Sequence, residues 1–353
     1  MTEQSKNKQT LRRLVLTSLL LAIVVIGLGA YTRLTHAGLG CPDWPTCYGL
    51  LAVPETSLQI AVAEQAFPQS TVEPTKAWNE MIHRYFAGSL GLLIAAIAFC
   101  SIKLRVATRS SVRSPVLLPL LILGIVILQA ALGMWTVTLK LMPVVVLAHL
   151  LGGFTTLCLL FLLYLRLNAK GVSAQGATLV DFQLKKYSRY ALLGITILTA
   201  QIALGGWTSS NYAALSCVEL PICQGNWLAD LSFEQSFDLI PPKQESYEFG
   251  HLAHNERVTI HVSHRFGAII TGVFLAWLAI VVFLKAKTHA IKNAAMVLLS
   301  LLVIQISLGV SNIWFSLPLK IAVAHNLVAA CLMLSLITLA YRLRQNSKES
   351  FYE

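Results

Sequence analysis

Eight separate stretches of this chain are apolar for about the 20 residues that an α-helix needs to cross the hydrocarbon core of a bilayer. They run roughly over 12–32, 80–102, 115–138, 143–165, 187–208, 257–284, 291–315 and 318–341. In lipid every backbone amide must find its partner within the span, so such stretches are restricted to helices. The fold class that follows is an all-α integral membrane protein with eight transmembrane helices. The overall balance agrees, with 56% of the 353 residues hydrophobic and 12% charged. No cleavable leader is expected, because Leu11–Ala30 is long enough to span and runs straight into motif-bearing sequence.

The charges set the orientation. If the N-terminus is cytoplasmic, the inside segments begin with Lys6, Lys8, Arg12 and Arg13, continue through Lys103, Arg105, Arg109 and Arg113, and end with Arg342, Arg344 and Lys348. Most of the 27 basic residues then flank the inner face. This bias places both termini in the cytoplasm; the membrane is expected to be a bacterial inner membrane. The net charge of +11 is therefore a topology signal. Spread over five membrane-flanking segments, it makes no compact patch and argues against a nucleic-acid partner.

The chain also repeats itself. At an offset of 176, Tyr31-Thr32 falls on Trp207-Thr208, and Cys41, Pro45 and Cys47 fall on Cys217, Pro221 and Cys223. Gln129, Leu132 and Gly133 fall on Gln305, Leu308 and Gly309, and His149 falls on His325. Gln201-x-x-Leu204-Gly205 echoes the same pattern once more. His83-Arg84 matches His264-Arg265 at an offset of 181, after a length change in the long outer loop. Long outer loops near 33–79 and 209–256 alternate with short connections near 139–142 and 316–317. The expectation is two pseudo-symmetric four-helix bundles, an N-terminal half over 1–175 and a C-terminal half over 176–353. Gly88, Gly91, Gly133, Gly152, Gly153, Gly267, Gly272 and Gly309 would let helices approach closely, although glycine is common in membrane helices generally.

A histidine inside a span is costly and marks a functional site by default. His83 and His264 are expected one turn inside their helices, and His149 and His325 about two turns inside theirs. Two imidazoles on facing helices of a bundle suit axial ligation of a haem iron. Zinc fits less well, because a structural site wants four N or S ligands. A lone histidine would as readily be a helix–helix hydrogen-bond partner; four matched ones favour ligation. Arg84 and Arg265 could meet haem propionates or simply snorkel to the interface.

The repeat breaks at one place. Three residues before His83 stands Glu80, and three before His264 stands His261. Positions i and i+3 share a helix face, so Glu80 is expected to project toward whatever His83 binds. There it could transfer protons or stabilise positive charge on a carbon being oxidised. The bland alternative is an acidic residue favouring a helix N-terminus, with Asn79 as the cap.

Of the seven cysteines, Cys100, Cys158 and Cys331 lie within spans and read as small apolar residues. Cys41 with Cys47, and Cys217 with Cys223, lie in the outer loops, where an oxidising compartment makes two disulfides the natural reading. Each is a structural clamp or, for the first pair, a redox group. His36, His251, His254 and His289 read as loop residues.

Together these residues carry a resemblance. The run from Thr32 through His36 and Cys41-Pro-Asp-Trp-Pro-Thr-Cys47, then Glu80-x-x-His83-Arg84, His149, His264-Arg265 and His325, resembles the haem A synthase family over essentially the whole chain. Membership implies an oxidoreductase that converts the methyl group of haem O to a formyl group, through a hydroxylated intermediate, giving haem A for terminal oxidases. It implies substrate haem on His83 and His149, a resident haem b on His264 and His325, Glu80 as the catalytic acid, and Cys41/Cys47 and Cys217/Cys223 as the loop pairs. The implied partners are haem O, haem O synthase and oxidase assembly factors, with a homo-oligomer left open. The competing expectation is a di-haem b electron-transfer protein; a repeat-built transporter is weaker, with few polar groups at mid-membrane.

Overall fold

A computed structural model describes residues 3–108, 116–168, 184–220, 223, 227–229 and 231–345. The proposed division at 175/176 and the basic residues Arg109, Arg113 and Lys348 lie outside the described residues. Among those described, the regular structure is helical: α1 (Glu3–Leu34), α2 (Ser57–Ala66), α3 (Pro74–Thr108), α4 (Leu117–Thr138), α5 (Pro143–Asn168), α6 (Lys185–Ser210), α7 (Phe233–Ser236), α8 (His254–Lys285), α9 (His289–Trp314) and α10 (Leu319–Gln345). Eight of them, all but α2 and α7, are long and apolar enough to cross a membrane.

The chain divides into two compact units. The first holds Met1–Asn168 and Leu239–His251, the second Ala169–Asp238 and Leu252–Glu353. In the first, α1 packs on α3 and α5, and α4 closes the ring by packing on the same two helices. In the second, α6 packs on α8 and α10, and α9 closes the ring in the same way. The segment 239–251 joins the first unit through Tyr247, whose N–H donates to the Lys140 carbonyl at 2.9 Å.

The repeat reaches into backbone conformation. His36, Lys140, Leu141, Tyr212, Ser316 and Leu317 all take positive φ, between 52° and 63°, and at the offset of 176 they pair as His36 with Tyr212, Lys140 with Ser316 and Leu141 with Leu317. They end α1, α4, α6 and α9 by one device. The amides of Ala37, Leu141, Ala213 and Leu317 reach back five residues to the carbonyls of Thr32, Thr136, Thr208 and Asn312, at 2.7–2.9 Å. This is the closure usually marked by glycine. Here ordinary side chains fill the left-handed positions, each at a cost of about 1–2 kcal/mol, so no glycine signals these ends.

Helix boundaries differ from the apolar stretches where polar residues extend a helix beyond lipid. α3 begins at Pro74, so His83 lies nine residues in, about 14 Å along the axis, and not one turn. His264 is ten residues into α8. His149 and His325 are each six residues in, about 9 Å. The boundary also removes the bland account of Glu80. The first turn of α3 holds no acidic residue, and Asn79 lies inside the helix, its carbonyl accepting from Thr32 Oγ1 at 3.2 Å.

The first outer loop is a packed element and not a solvated linker. Thr56 caps α2 in a reciprocal box with Gln59, a Thr-x-x-Gln signature readable in the sequence. Cys41, Cys47, Tyr48, Val53 and Ala63 bury themselves with Ala77 and Met81 of α3. Gly40 is the point of closest approach: a Cβ there would stand 2.6 Å from the Lys76 carbonyl carbon. Backbone cannot yield as a flexible side chain can. Gly40→Ala is therefore expected to lift the loop off α3 at a cost of about 1–3 kcal/mol. Limited proteolysis within 41–73 should accelerate while helical circular dichroism stays unchanged; unchanged proteolysis would contradict the close packing.

Candidate functional site

Each unit presents two imidazoles from helices that face each other across the bundle. His83 on α3 and His149 on α5 meet with ring centroids 6.5 Å apart and planes at 84°. In the second unit, His264 on α8 and His325 on α10 are close enough to interact electrostatically.

What seats these rings is glycine on the neighbouring helices. A Cβ on Gly29 of α1 would lie 3.0 Å from His83 Cε1, and one on Gly133 of α4 would lie 3.4 Å from His149 Cε1. In the second unit a Cβ on Gly205 of α6 would lie 3.0 Å from His264 Cε1, and one on Gly309 of α9 would lie 3.2 Å from His325 Cε1. The four glycines thus receive the four imidazole edges. Gly29 and Gly205 were not among the glycines expected to matter. Gly88, which was, has open space around it, and Gly91 and Gly272 make ordinary contacts.

Glutamines stand one helical turn before three of these glycines. Gln129 donates to the His149 carbonyl at 2.8 Å. Gln201 Nε2 donates to the His264 carbonyl at 3.0 Å and lies 3.0 Å from that ring's Nδ1. Gln305 Nε2 lies 3.2 Å from His325 Nε2. The recurring Gln-x-x-Leu-Gly pattern is therefore a cradle for a histidine from the next helix. The fourth cradle, on α1, has Val25 in place of glutamine.

The donor set fits an iron porphyrin. A metal about 2 Å from an imidazole nitrogen lies about 3 Å from that ring's centre, so two opposed ligands have centroids about 6 Å apart, as His83 and His149 do. His83 Nδ1, His149 Nδ1 and His325 Nδ1 are buried without a hydrogen-bond partner, an expense the fold would avoid if these were mere helix–helix bridges. All four histidines are half-buried. Among the described residues no three His, Cys, Asp or Glu side chains gather around one point, so each unit offers a pair.

The loops attach just above the imidazoles. Glu80 is buried and accepts from the Cys41 N–H at 2.9 Å. It also pairs with Arg84, one turn along α3. Glu80 therefore grips the loop just above His83, on the same helix face. Arg84 is taken up by the same loop, donating to the carbonyls of Thr46 at 2.7 Å and Asp43 at 3.0 Å. Asp43 in turn accepts from the Tyr48 and Gly49 amides at 2.6 and 2.9 Å. In the second unit Arg265 donates to the carbonyls of Cys217 at 2.5 Å and Glu219 at 2.7 Å. His261, in the place of Glu80, sets Nδ1 2.9 Å from the Ala213 carbonyl. Only an N–H can donate there, so His261 gives a hydrogen bond to its loop where Glu80 accepts one. Both arginines hold loop carbonyls; neither was read that way, and only tertiary structure could show it. Cys41–Cys47 and Cys217–Cys223 are both disulfides, and Cys100, Cys158 and Cys331 are free thiols within helices.

Fold and site together define a polytopic helical membrane protein with paired imidazoles in each of two internally repeated bundles. Residues 12–337 match the COX15-CtaA family, described as cytochrome oxidase assembly protein, and the chain belongs to that family. It is 47% identical over 333 residues to the heme A synthase of Shewanella oneidensis, covering 94% of this chain and 96% of that protein. It is also similar to the heme A synthases of Mesorhizobium japonicum, 27% identical over 91% of this chain and 87% of the relative, and Bacillus licheniformis, 24% identical over 90% of each.

Arg84→Leu should be strongly destabilising. It strands the Glu80 carboxylate, whose side chain is only 6% exposed, and a buried charge left without its partner costs about 3–5 kcal/mol. Glu80→Gln combined with Arg84→Leu should recover part of that loss. Thermal unfolding in detergent checks both, and an Arg84→Leu protein as stable as the parent would show that the ion pair is not formed.

Proposed function

We propose that this chain is a haem A synthase, oxidising a methyl group of haem O to a formyl group to give haem A for terminal oxidases. The observation that carries the proposal is the imperfect repeat: two bundles with equivalent imidazole pairs, of which, among the described residues, only the first has a buried carboxylate one turn away.

In this proposal His83 and His149 hold the substrate haem and His264 and His325 hold a resident haem b. Bound haem b would supply one-electron redox chemistry. Glu80 is kept in place by the Cys41 amide and by Arg84, one turn from His83 on the same helix face. It would balance positive charge on the methyl carbon as an electron acceptor withdraws electrons from the substrate, and would take up the proton released there at a carboxylate oxygen. Arg84, through Asp43 and Thr46, keeps the loop and Glu80 in one orientation. Gly29 and Gly133 hold the imidazoles at their spacing. Cys41–Cys47 and Cys217–Cys223 clamp the loops on which these contacts depend. The same proposal places the protein in a bacterial inner membrane with both termini cytoplasmic. Haem O synthase delivers a scarcely soluble substrate, and oxidase assembly factors take the product.

Haem extraction and mass spectrometry of the purified protein test it. The parent should carry haem B together with haem O, a hydroxylated intermediate or haem A. His83→Ala and His149→Ala should lose the latter group and keep haem B, and His264→Ala and His325→Ala should do the reverse. Glu80→Gln should lower product formation by about 100-fold or more while both haems still bind. Haem B alone, under every expression condition, would point instead to a di-haem electron carrier.

A further inference from the structure

The four cradles differ in one residue that bears directly on a ring. On α4, α6 and α9 a glutamine stands four residues before the glycine that receives the imidazole, as Gln129, Gln201 and Gln305 before Gly133, Gly205 and Gly309. On α1 that place before Gly29 belongs to Val25. The consequence is visible at matched histidines. His264 has the Gln201 amide at 3.0 Å from Nδ1 and bonded at 3.0 Å to its own carbonyl, so backbone and ring are held by one side chain. The His83 ring approaches the Val25 backbone carbonyl, but its Nδ1 reaches no hydrogen-bond partner.

We infer that Gln201 is a positioning residue that makes the C-terminal site retain its haem, and that Val25 leaves the N-terminal site exchangeable. The inference rests on the assignment of haem to the two imidazole pairs. A partner on the far nitrogen of a ligating histidine fixes the ring's orientation and raises its basicity, and losing such a partner typically weakens metal binding 10- to 100-fold. In this structure the Gln201 NH2 meets a bare Nδ1; with Nε2 on a metal, Nδ1 carries the proton, and the amide turned about its last bond accepts from that N–H through Oε1, which is buried without a partner here. A cofactor that stays for many turnovers gains from that hold. A substrate that must enter and leave does not, because tighter binding appears mainly as slower release. A methyl-rich valine on α1 keeps the helix spacing and offers the ring a backbone carbonyl but no side-chain amide.

The test follows haem loss from the full-length protein, in detergent, to excess apomyoglobin, with haem types identified by extraction. The parent should lose haem O and haem A faster than haem B. Gln201→Val should speed haem B loss about tenfold or more, alter the low-spin ferric signal of that haem in electron paramagnetic resonance, and leave loss from the other site unchanged. Val25→Gln should slow release from the His83–His149 site by a similar factor. If Val25→Gln does not accumulate, the Gln201→Val rates and spectrum decide alone. Haem B loss at the parental rate in Gln201→Val overturns the inference, as does equal acceleration at both sites, which would mark general destabilisation. A parent protein that binds no haem at all overturns the proposed function itself, a different and separately visible result.

Discussion

The constraint on which the structure depends is the seating of an imidazole edge on a glycine of the next helix. A histidine within a span must be aimed at something polar or at a ligand, and it can be aimed across a bundle only if the flanking helix leaves room for the ring. Gly29, Gly133, Gly205 and Gly309 supply that room. Each fixes at once the separation of two helices, the rotation of a histidine-bearing helix and the direction of a ring nitrogen. Because the seats alternate around each four-helix ring, both histidines of a unit end up opposed.

The outer loops are the second half of the same design. In the first unit the loop is pinned to α3 by Gly40, by the packing of the Cys41–Cys47 disulfide on Ala77 and Met81, and by Arg84 gathering loop carbonyls. Glu80 belongs to that junction, since its carboxylate takes the Cys41 amide and the Arg84 guanidinium. A charge so far from water is stable only with such partners. The second unit has the same junction with the polarity reversed, His261 giving a hydrogen bond where Glu80 receives one.

Much of this was legible in the chain because it depends on composition and periodicity. Apolar stretches of bilayer length define spans wherever they occur, and a repeat of Gln, Leu, Gly and His at one offset shows itself without coordinates. The helix ends were not legible. Their closures use His36, Lys140, Tyr212 and Ser316 at positions where glycine is the usual mark, and α3 runs six residues above the apolar stretch because its polar first turns need no lipid. Spacing alone also did not show the contacts of Glu80 with Cys41 and Arg84, since a shared helix face does not say which loop group lies within reach.

The sequence by itself determined the eight spans, the duplication, the four histidines and the pairing of cysteines, because hydrophobicity and residue spacing act along the chain. Only the tertiary structure decided that the glycines carry the imidazoles, that the arginines hold loop carbonyls, that Glu80 is bound to Cys41 and Arg84, and that Gln201 alone among its counterparts touches both ring and backbone of its histidine. These are contacts between residues tens of positions apart. Their energies depend on distances of a few ångströms that are set only when the helices pack.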